Sequence, residues 1–404
     1  MSEKLEQLII TKFKGGLFML KRKVAIAMSF AMVMGLLAGC SSASTSSASG
    51  DKKGTIKIGA VMALTGTVST YGKSGQNGIK LLEKQVNSAG GINGQKVQFI
   101  FQDDEGKPDN SATVGTKLIS EDKVVAIVGP LTSGCCEALG PIASNFKVPM
   151  VTGTGTNPDV TKKGGDYVFR TCFIDPFQGS VIAKFANEDL KAKTAAILYD
   201  NSNDYSKGLA EFFEKSFTAA GGKIVAKETY ATKDQDFKAQ LTKIKPKNPE
   251  VLLLPDYYGT VGVIAKQARA LDIKVPLLGG DGWDSSDLFK IGGDAVNNSY
   301  ISNHYSAQDT SAEVVQFQKE YKAEYNADPD AMAVLNYDAA KITVQAIKDA
   351  GKTDGPSIVA ALKKINATVV SGKISFDSNR DAVKSAVMLK IDGGKFTFSK
   401  KINP

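Results

Sequence analysis

The sequence predicts an α/β protein made of two successive parallel-sheet units. Three observations carry this: short strands that are apolar almost throughout, helical stripes between them, and a restart of the same alternation at Thr194. Nearly continuous apolar strands separated by helices are what a parallel sheet covered on both faces requires.

In chain order, "TIKIGAVMAL" from Thr55 is a strand. Gly75 to Ala89 carries Ile79, Leu82 and Val86 on one helical face and stops at Gly90-Gly91. "KVQFIFQDD" is a strand, Ala112 to Glu121 a helix, "VVAIVGP" a buried strand, Glu137 to Phe146 a helix, and "VPMVTG" and "YVFRTCF" strands. The second series runs "TAAILYD", a helix Leu209 to Ala220, "KIVAKETY", a helix near Asp236 to Lys245, "EVLLLPD", a helix Val261 to Leu271, and "VPLLGGD". After His304 come helices Ala312 to Tyr325, Ala331 to Ala350 and Pro356 to Ile365, with no strand between them. Such helices must pack on a sheet already made, and the first unit is where they are expected to return. The end, "GKISFDSNRDAVKSAVMLKIDGGKFTF", reads as three strands joined by polar and Gly-Gly turns.

The N-terminal region is read as a secretion signal. Lys21, Arg22 and Lys23 precede a fifteen-residue apolar run, Val24 to Ala38, and Leu37-Ala38-Gly39-Cys40 resembles a bacterial lipobox. The run is short for a membrane-spanning helix, which needs about 20 residues. Cys40 is thus the expected lipidation residue, with residues 1–39 as signal region. Residues 1–18 do not fit a signal and read as a start placed too early. Ser41 to Lys53 is a Ser-rich flexible tether. Removing the first 39 residues, with six Lys/Arg and two Asp/Glu, leaves 44 basic against 40 acidic residues. That weak balance, with no Arg-rich stripe, speaks against nucleic acid as a partner. Cys135, Cys136 and Cys172 show no C-x-x-C spacing, and buried free thiols are the expectation.

Ligands of open α/β sheets bind at the carboxyl ends of strands. The loop "TGTGTNPDV" after "VPM" offers hydroxyls and backbone N–H groups suited to an anion. It lacks the third glycine of a dinucleotide loop and any Lys or Arg for phosphate. A nucleophile–histidine mechanism would have to use His304, the chain's single histidine, which reads instead as a linker residue. Asp200, Ser202, Asp204 and Glu211 sit at calcium-loop spacing, yet Tyr205 holds the position that needs glycine, so a βα loop with an aromatic tip is the better account. A zwitterion fits best. Ser133, ahead of a helix, with Thr154 and Thr156 can take a carboxylate. Asp281, in "GGDGWD", can take an ammonium or simply cap a helix.

These residues then match a family. The chain from about Thr55 onward resembles the bacterial leucine/isoleucine/valine-binding proteins, type I periplasmic binding proteins that serve ABC importers. The resemblance rests on "IKIGAVMALTGTVSTYG", "GIKLLEKQVNSAGGINGQKVQFIFQDDEGKP", "GPLTSG", "VPMVTGTGTNPDVTKKGGDYVFRT" and "IAKQARALDIKVPLLGGDGW". It implies two Rossmann-like lobes joined by a three-segment hinge near Phe173, His304 and Val370. Lobe 1 would hold 54–173 plus 305–369, and lobe 2 would hold 174–304 plus 370–404. It places Ser133, Thr154, Thr156 and Tyr71 at first-lobe ligand positions, Tyr205, Tyr257 and Asp281 at second-lobe ones, and Trp283 beside the side-chain pocket. This chain departs from the family in three ways. Gly106 and Thr132 stand near the positions of a first-lobe disulfide, Asp281 stands in place of a usual Glu, and Thr154 in place of a common Ala. The expectation is a lipid-anchored, monomeric receptor for an amino acid, branched-chain or otherwise apolar, without cofactor or metal. Its partners would be a membrane permease driven by cytoplasmic ATPases. The alternatives are a sensor or a receptor for amides, urea or short peptides on the same fold, and an extracytoplasmic hydrolase using Ser133 or Cys135 with His304.

Overall fold

The computed structural model describes residues 54–404; the expected signal region, Cys40 and the tether lie outside the described residues. Two sheets organise the chain. The first has five parallel strands in the order β2-β1-β3-β4-β5: β1 (Ile56–Met62), β2 (Val97–Asp103), β3 (Ile127–Val128), β4 (Met150–Thr152) and β5 (Val168–Arg170). The second has seven, ordered β14-β13-β10-β9-β8-β6-β7: β6 (Thr194–Asp200), β7 (Lys223–Tyr230), β8 (Val251–Leu253), β9 (Leu277–Gly279), β10 (Ser299–Asn303), β13 (Ala386–Asp392) and β14 (Lys395–Ile402). Its last two strands are antiparallel additions. β11 (Asn366–Val369) and β12 (Gly372–Ser375) form a separate hairpin.

Each parallel strand feeds a helix, as the apolar patterning requires. The first lobe carries α1 (Ser69–Ser88), α2 (Pro108–Ser120), α3 (Ser133–Asn145) and the short α4 (Asp159–Gly164). The second carries α5 (Asp175–Glu188), α6 (Asp204–Ala219), α7 (Lys238–Ile244), α8 (Tyr258–Ala270) and α9 (Ser286–Gly292). The chain then returns to the first lobe with α10 (Ala312–Tyr325), α11 (Ala331–Ala350) and α12 (Gly355–Leu362). α10 and α11 pack on α1, which is how helices without strands of their own bury an apolar face.

The chain passes between the lobes three times: between β5 and α5, between β10 and α10, and ahead of β13. The third crossing corrects an expectation. It does not fall at Val370, because the segment after the hairpin is still held by lobe one: the Phe376 ring packs edge-on to Phe169, and Asp381 pairs with Arg170 at 2.6 Å.

Most helix starts that differ from the sequence analysis lie earlier in the chain. α1, α3, α6 and α8 begin three to six residues earlier than the apolar stripes indicate, at Ser69, Ser133, Asp204 and Tyr258. Their first turns are polar or aromatic and face the cleft, so they carry no apolar stripe. Three helices, α4, α5 and α9, were not anticipated at all.

Candidate functional site

The carboxyl ends of both sheets meet at a small space lined from lobe one by Tyr71, Ser133 and Thr154 and from lobe two by Tyr205, Tyr257 and Asp281. Leu131, Thr132, Gly282 and Met332 complete it, and sequence reasoning missed these four. The space is about 20 Å³, room for a single water. A larger solute therefore enters only with the lobes parted.

The lobe-one wall is a helix start and a loop. α3 begins at Ser133, and Thr132 ahead of it gives no side-chain cap, so the first-turn N–H groups keep their capacity for an anion. Ser133 Oγ accepts from the Asn157 N–H at 3.2 Å, leaving its own hydrogen to donate. The loop after β4 is organised by Thr152, whose Oγ1 donates to Pro130 O (2.7 Å) and accepts from the Gly155 N–H (3.0 Å). Behind the loop lies the fully buried Arg170, which donates from one guanidinium nitrogen to Gly155 O and Asn157 O, both at 2.7 Å. The Thr154 hydroxyl donates to Leu131 O at 2.6 Å, so its oxygen faces the space as an acceptor.

The lobe-two wall centres on Asp281, at the end of β9 in a single 3-10 turn, Asp281–Trp283. Its Oδ1 accepts from Gln178 Nε2 (2.8 Å) and the Tyr205 hydroxyl (3.0 Å), and its Oδ2 lies 3.1 Å from His304 Nε2. Burial holds the His304 imidazole down to about 4 although Asp281 pulls the other way, so at neutral pH the ring is uncharged. Asp281 is therefore a buried carboxylate with three neutral donors and, among the described residues, no Lys or Arg paired to it. A carboxylate has roughly four acceptor sites, which leaves one for a further donor. The glycines of "GGDGW" permit this approach: a Cβ on Gly280 would lie 2.5 Å from the Tyr205 hydroxyl and 3.0 Å from Gln178 Nε2.

Two expected site residues lie elsewhere. Trp283 is fully buried beneath the turn, its indole against Gly279 and its Nε1 donating to Leu254 O at 2.9 Å; it supports the loop and does not line the space. Thr156 is buried behind the lining, its hydroxyl beside the Asp175 carboxyl, and its carbonyl accepts from the Asp175 N–H at 3.0 Å. Asp175 itself is pushed up to about 8, by burial first and then by the charge of Asp281. The Asp200–Glu211 stretch is a βα loop in which Asn203 caps α6. The described cysteines Cys135, Cys136 and Cys172 are buried and free.

The lobes are shut on each other. Asn157 Nδ2 donates to Asp204 O (2.8 Å), Thr70 Oγ1 to Asp287 Oδ2 (2.7 Å), and the Ala331 N–H to Asp284 Oδ2 (3.0 Å). Tyr71 reaches across to Gly282 O.

Two sheets hinged on three crossings, with polar walls that meet only on closure, suit the capture and release of a solute; the class is a hinged solute-binding protein. Residues 55–395 match the sequence model of the periplasmic binding protein family, and the chain belongs to that family. Among its relatives is the Leu/Ile/Val-binding protein BraC3 of Rhizobium johnstonii, 31% identical over 343 residues, or 84% of this chain and 92% of that protein. The crystal structure of the leucine binding protein LivK from Thermotoga maritima superposes with a TM-score of 0.83 at 36% identity, over 86% of this chain and 99% of that one. That of the branched-chain amino acid transporter substrate binding protein LivJ from Streptococcus pneumoniae, in complex with isoleucine, gives 0.82 at 35% identity, over 87% and 100%.

Proposed function

We propose that this chain is an extracytoplasmic receptor that captures a free α-amino acid with an apolar side chain, branched-chain amino acids first, and presents it to an ABC permease. The observation that carries this is the Asp281 carboxylate: buried, facing the space, and without a fixed cation. A buried charge is costly unless paired. A ligand ammonium would complete it, while the Ser133 hydroxyl and the start of α3 take the ligand carboxylate and Leu131 and Met332 meet the side chain. The relatives named for leucine, isoleucine and valine support the same ligand class.

Binding and closure are one event in this reading. Ser133 and Thr154 stand on one lobe and Asp281 on the other, so the ligand's two charges are satisfied together only when the lobes close around it, stopping short of the shut arrangement seen here, where the space holds one water. Charge-assisted bonds contribute roughly 1.5–3 kcal/mol each, and several reach the about 8 kcal/mol that micromolar affinity needs. No covalent step is proposed: the one His nitrogen with a polar partner is held by Asp281, and Ser133 lies on the opposite lobe. A lipid anchor on Cys40 and a permease with its ATPases as partners complete the proposal. Among the described residues no helix is long and apolar enough to cross a membrane.

A thermal-shift screen of the twenty amino acids, followed by calorimetry, tests the ligand class. Stabilisation by leucine, isoleucine or valine is expected; no response to any amino acid would end the reading. A second reading, a longer amide or short peptide, draws support from the cleft beyond Thr132 and Tyr257, a cavity of about 510 Å³ with Asp204 and Asp256 on its wall. Short peptides in the same screen distinguish the two. Cys40→Ser should leave the precursor unlipidated, read by mass spectrometry.

A further inference from the structure

We propose that His304 is the positioning residue for the ligand-facing acid: on the second crossing segment, as a neutral imidazole, it donates from Nε2 to Asp281 Oδ2 and ties that carboxylate to the hinge. This rests on the reading of Asp281 as the partner of a ligand ammonium.

The geometry makes the ring a link between three places. Its Nε2 lies 3.1 Å from Asp281 Oδ2, and a carboxylate oxygen only accepts, so Nε2 carries the hydrogen. Its face stacks on Phe173 at 3.5 Å between centroids and 22° between planes, and Phe173 belongs to the first crossing segment. Its backbone N–H donates to the Asn303 side chain at 2.8 Å, and Asn303 Nδ2 donates to Asp284 Oδ2, also at 2.8 Å. Residues 303 and 304 therefore fasten both acids of the Asp281–Asp284 turn. A change in the relative course of the first two crossings moves Phe173 against His304, and with it the orientation of Asp281.

The charge state matters as much as the contact. The charged groups that act on the imidazole are Asp281, which favours its protonation, and Lys384, from the third crossing, which opposes it; burial outweighs both. A neutral ring gives Asp281 a donor and leaves its negative charge for the ligand. An imidazolium would pair with Asp281 internally and compete with the ligand ammonium. Sequence reasoning had set this residue aside as a linker.

His304 is the only histidine in 404 residues, so selective ¹⁵N labelling gives one imidazole in the spectrum. In the unliganded full-length protein the expected signals are those of the Nε2–H tautomer, without titration between about pH 8 and about pH 5, where an ordinary histidine titrates near 6.5. An Nδ1–H tautomer, or a midpoint near 6.5, overturns the proposal. Leucine is the probe for affinity. His304→Gln, which keeps a neutral donor, should restore most of the binding, while His304→Leu should weaken it roughly tenfold. Equal affinity of the two variants overturns the positioning role. If that happens while Asp281→Asn still loses leucine, the receptor reading stands; if Asp281→Asn binds leucine like the wild type, the assignment of Asp281 to the ligand ammonium has failed and this proposal with it, whereas the receptor reading fails only if the wild type itself binds no amino acid. The tautomer measurement needs neither variant to fold.

Discussion

The Tyr71 hydroxyl on α1 of lobe one donates to the carbonyl of Gly282 on lobe two, one residue past Asp281. The same ring packs edge-on to Tyr258 at 5.0 Å and to Tyr257 at 6.1 Å. Tyr258 in turn donates to Thr70 Oγ1 at 3.1 Å. The latch therefore exists only when the lobes are shut. Tyr71→Phe keeps the ring and removes the donor. A neutral hydrogen bond contributes about 1 kcal/mol, so leucine affinity should fall roughly fivefold by calorimetry. Unchanged affinity would show that closure does not draw on this bond.

Asp281→Asn separates ligand capture from folding. The variant keeps the shape of the turn and removes a buried charge that has no fixed cation. Affinity should drop at least about tenfold, since a charge-assisted bond of roughly 1.5–3 kcal/mol is lost. The melting temperature of the unliganded protein should hold or rise, because removing an unpaired buried charge relieves its desolvation cost. A fall in both would mark Asp281 as a structural cap with no part in binding.

What the sequence disclosed and what it hid follow from which face of each element carries apolar residues. α10 and α11 match the predicted Ala312–Tyr325 and Ala331–Ala350 because each buries an apolar face, α11 on α1 and α10 on α11 through Phe317 and on α1 at its C-terminal end. The starts of α3 and α6 were misplaced because Ser133 and Asp204 point polar first turns at the cleft. Those same turns build the site, so the pattern fails where function sits. Gln178 and Arg170 act over long sequence separations: Gln178 reaches Asp281 from an unanticipated helix, and Arg170 reaches Asp381 from a strand read as apolar. "DPFQGS" after the first crossing, with Pro at a helix start, was the available signal for α5. Nothing local signals that Trp283 turns inward beneath Gly279 while its neighbour Asp281 turns to the cleft.

Arg170 fastens the anion-facing loop from behind. It is fully buried, pairs with Asp381 at 2.6 Å, donates to Thr161 Oγ1 at 2.9 Å and holds the carbonyls of Gly155 and Asn157. Arg170→Met leaves Asp381 and those carbonyls without their donor, and breaking a buried pair from one side costs about 3–5 kcal/mol. Urea denaturation should show that loss. The double variant Arg170→Met with Asp381→Leu should recover part of the stability and none of the leucine affinity, because the loop carbonyls remain unheld. Recovery of both would detach Arg170 from the site.

Asp175 makes stability depend on pH in the sense opposite to a salt-bridged acid. It opens α5 just past the first crossing, fully buried, with the Thr156 hydroxyl beside its carboxyl. Burial first, then the Asp281 charge, push it up to about 8, with the Thr156 hydroxyl and then Arg170 acting the other way. An unfolded aspartate gives up its proton near about 4. Between these values the folded chain binds the extra proton, so the contribution is whole below about pH 4 and is lost as pH rises to about 8. Asp175→Asn is neutral at every pH. The unliganded variant should melt with the wild type at about pH 4 and above it by roughly 2 °C or more at about pH 8, where other titrating groups cancel in the comparison. A constant offset across that range would mean that the carboxyl is already ionised in the folded protein, and with it that a second negative charge stands beside Asp281.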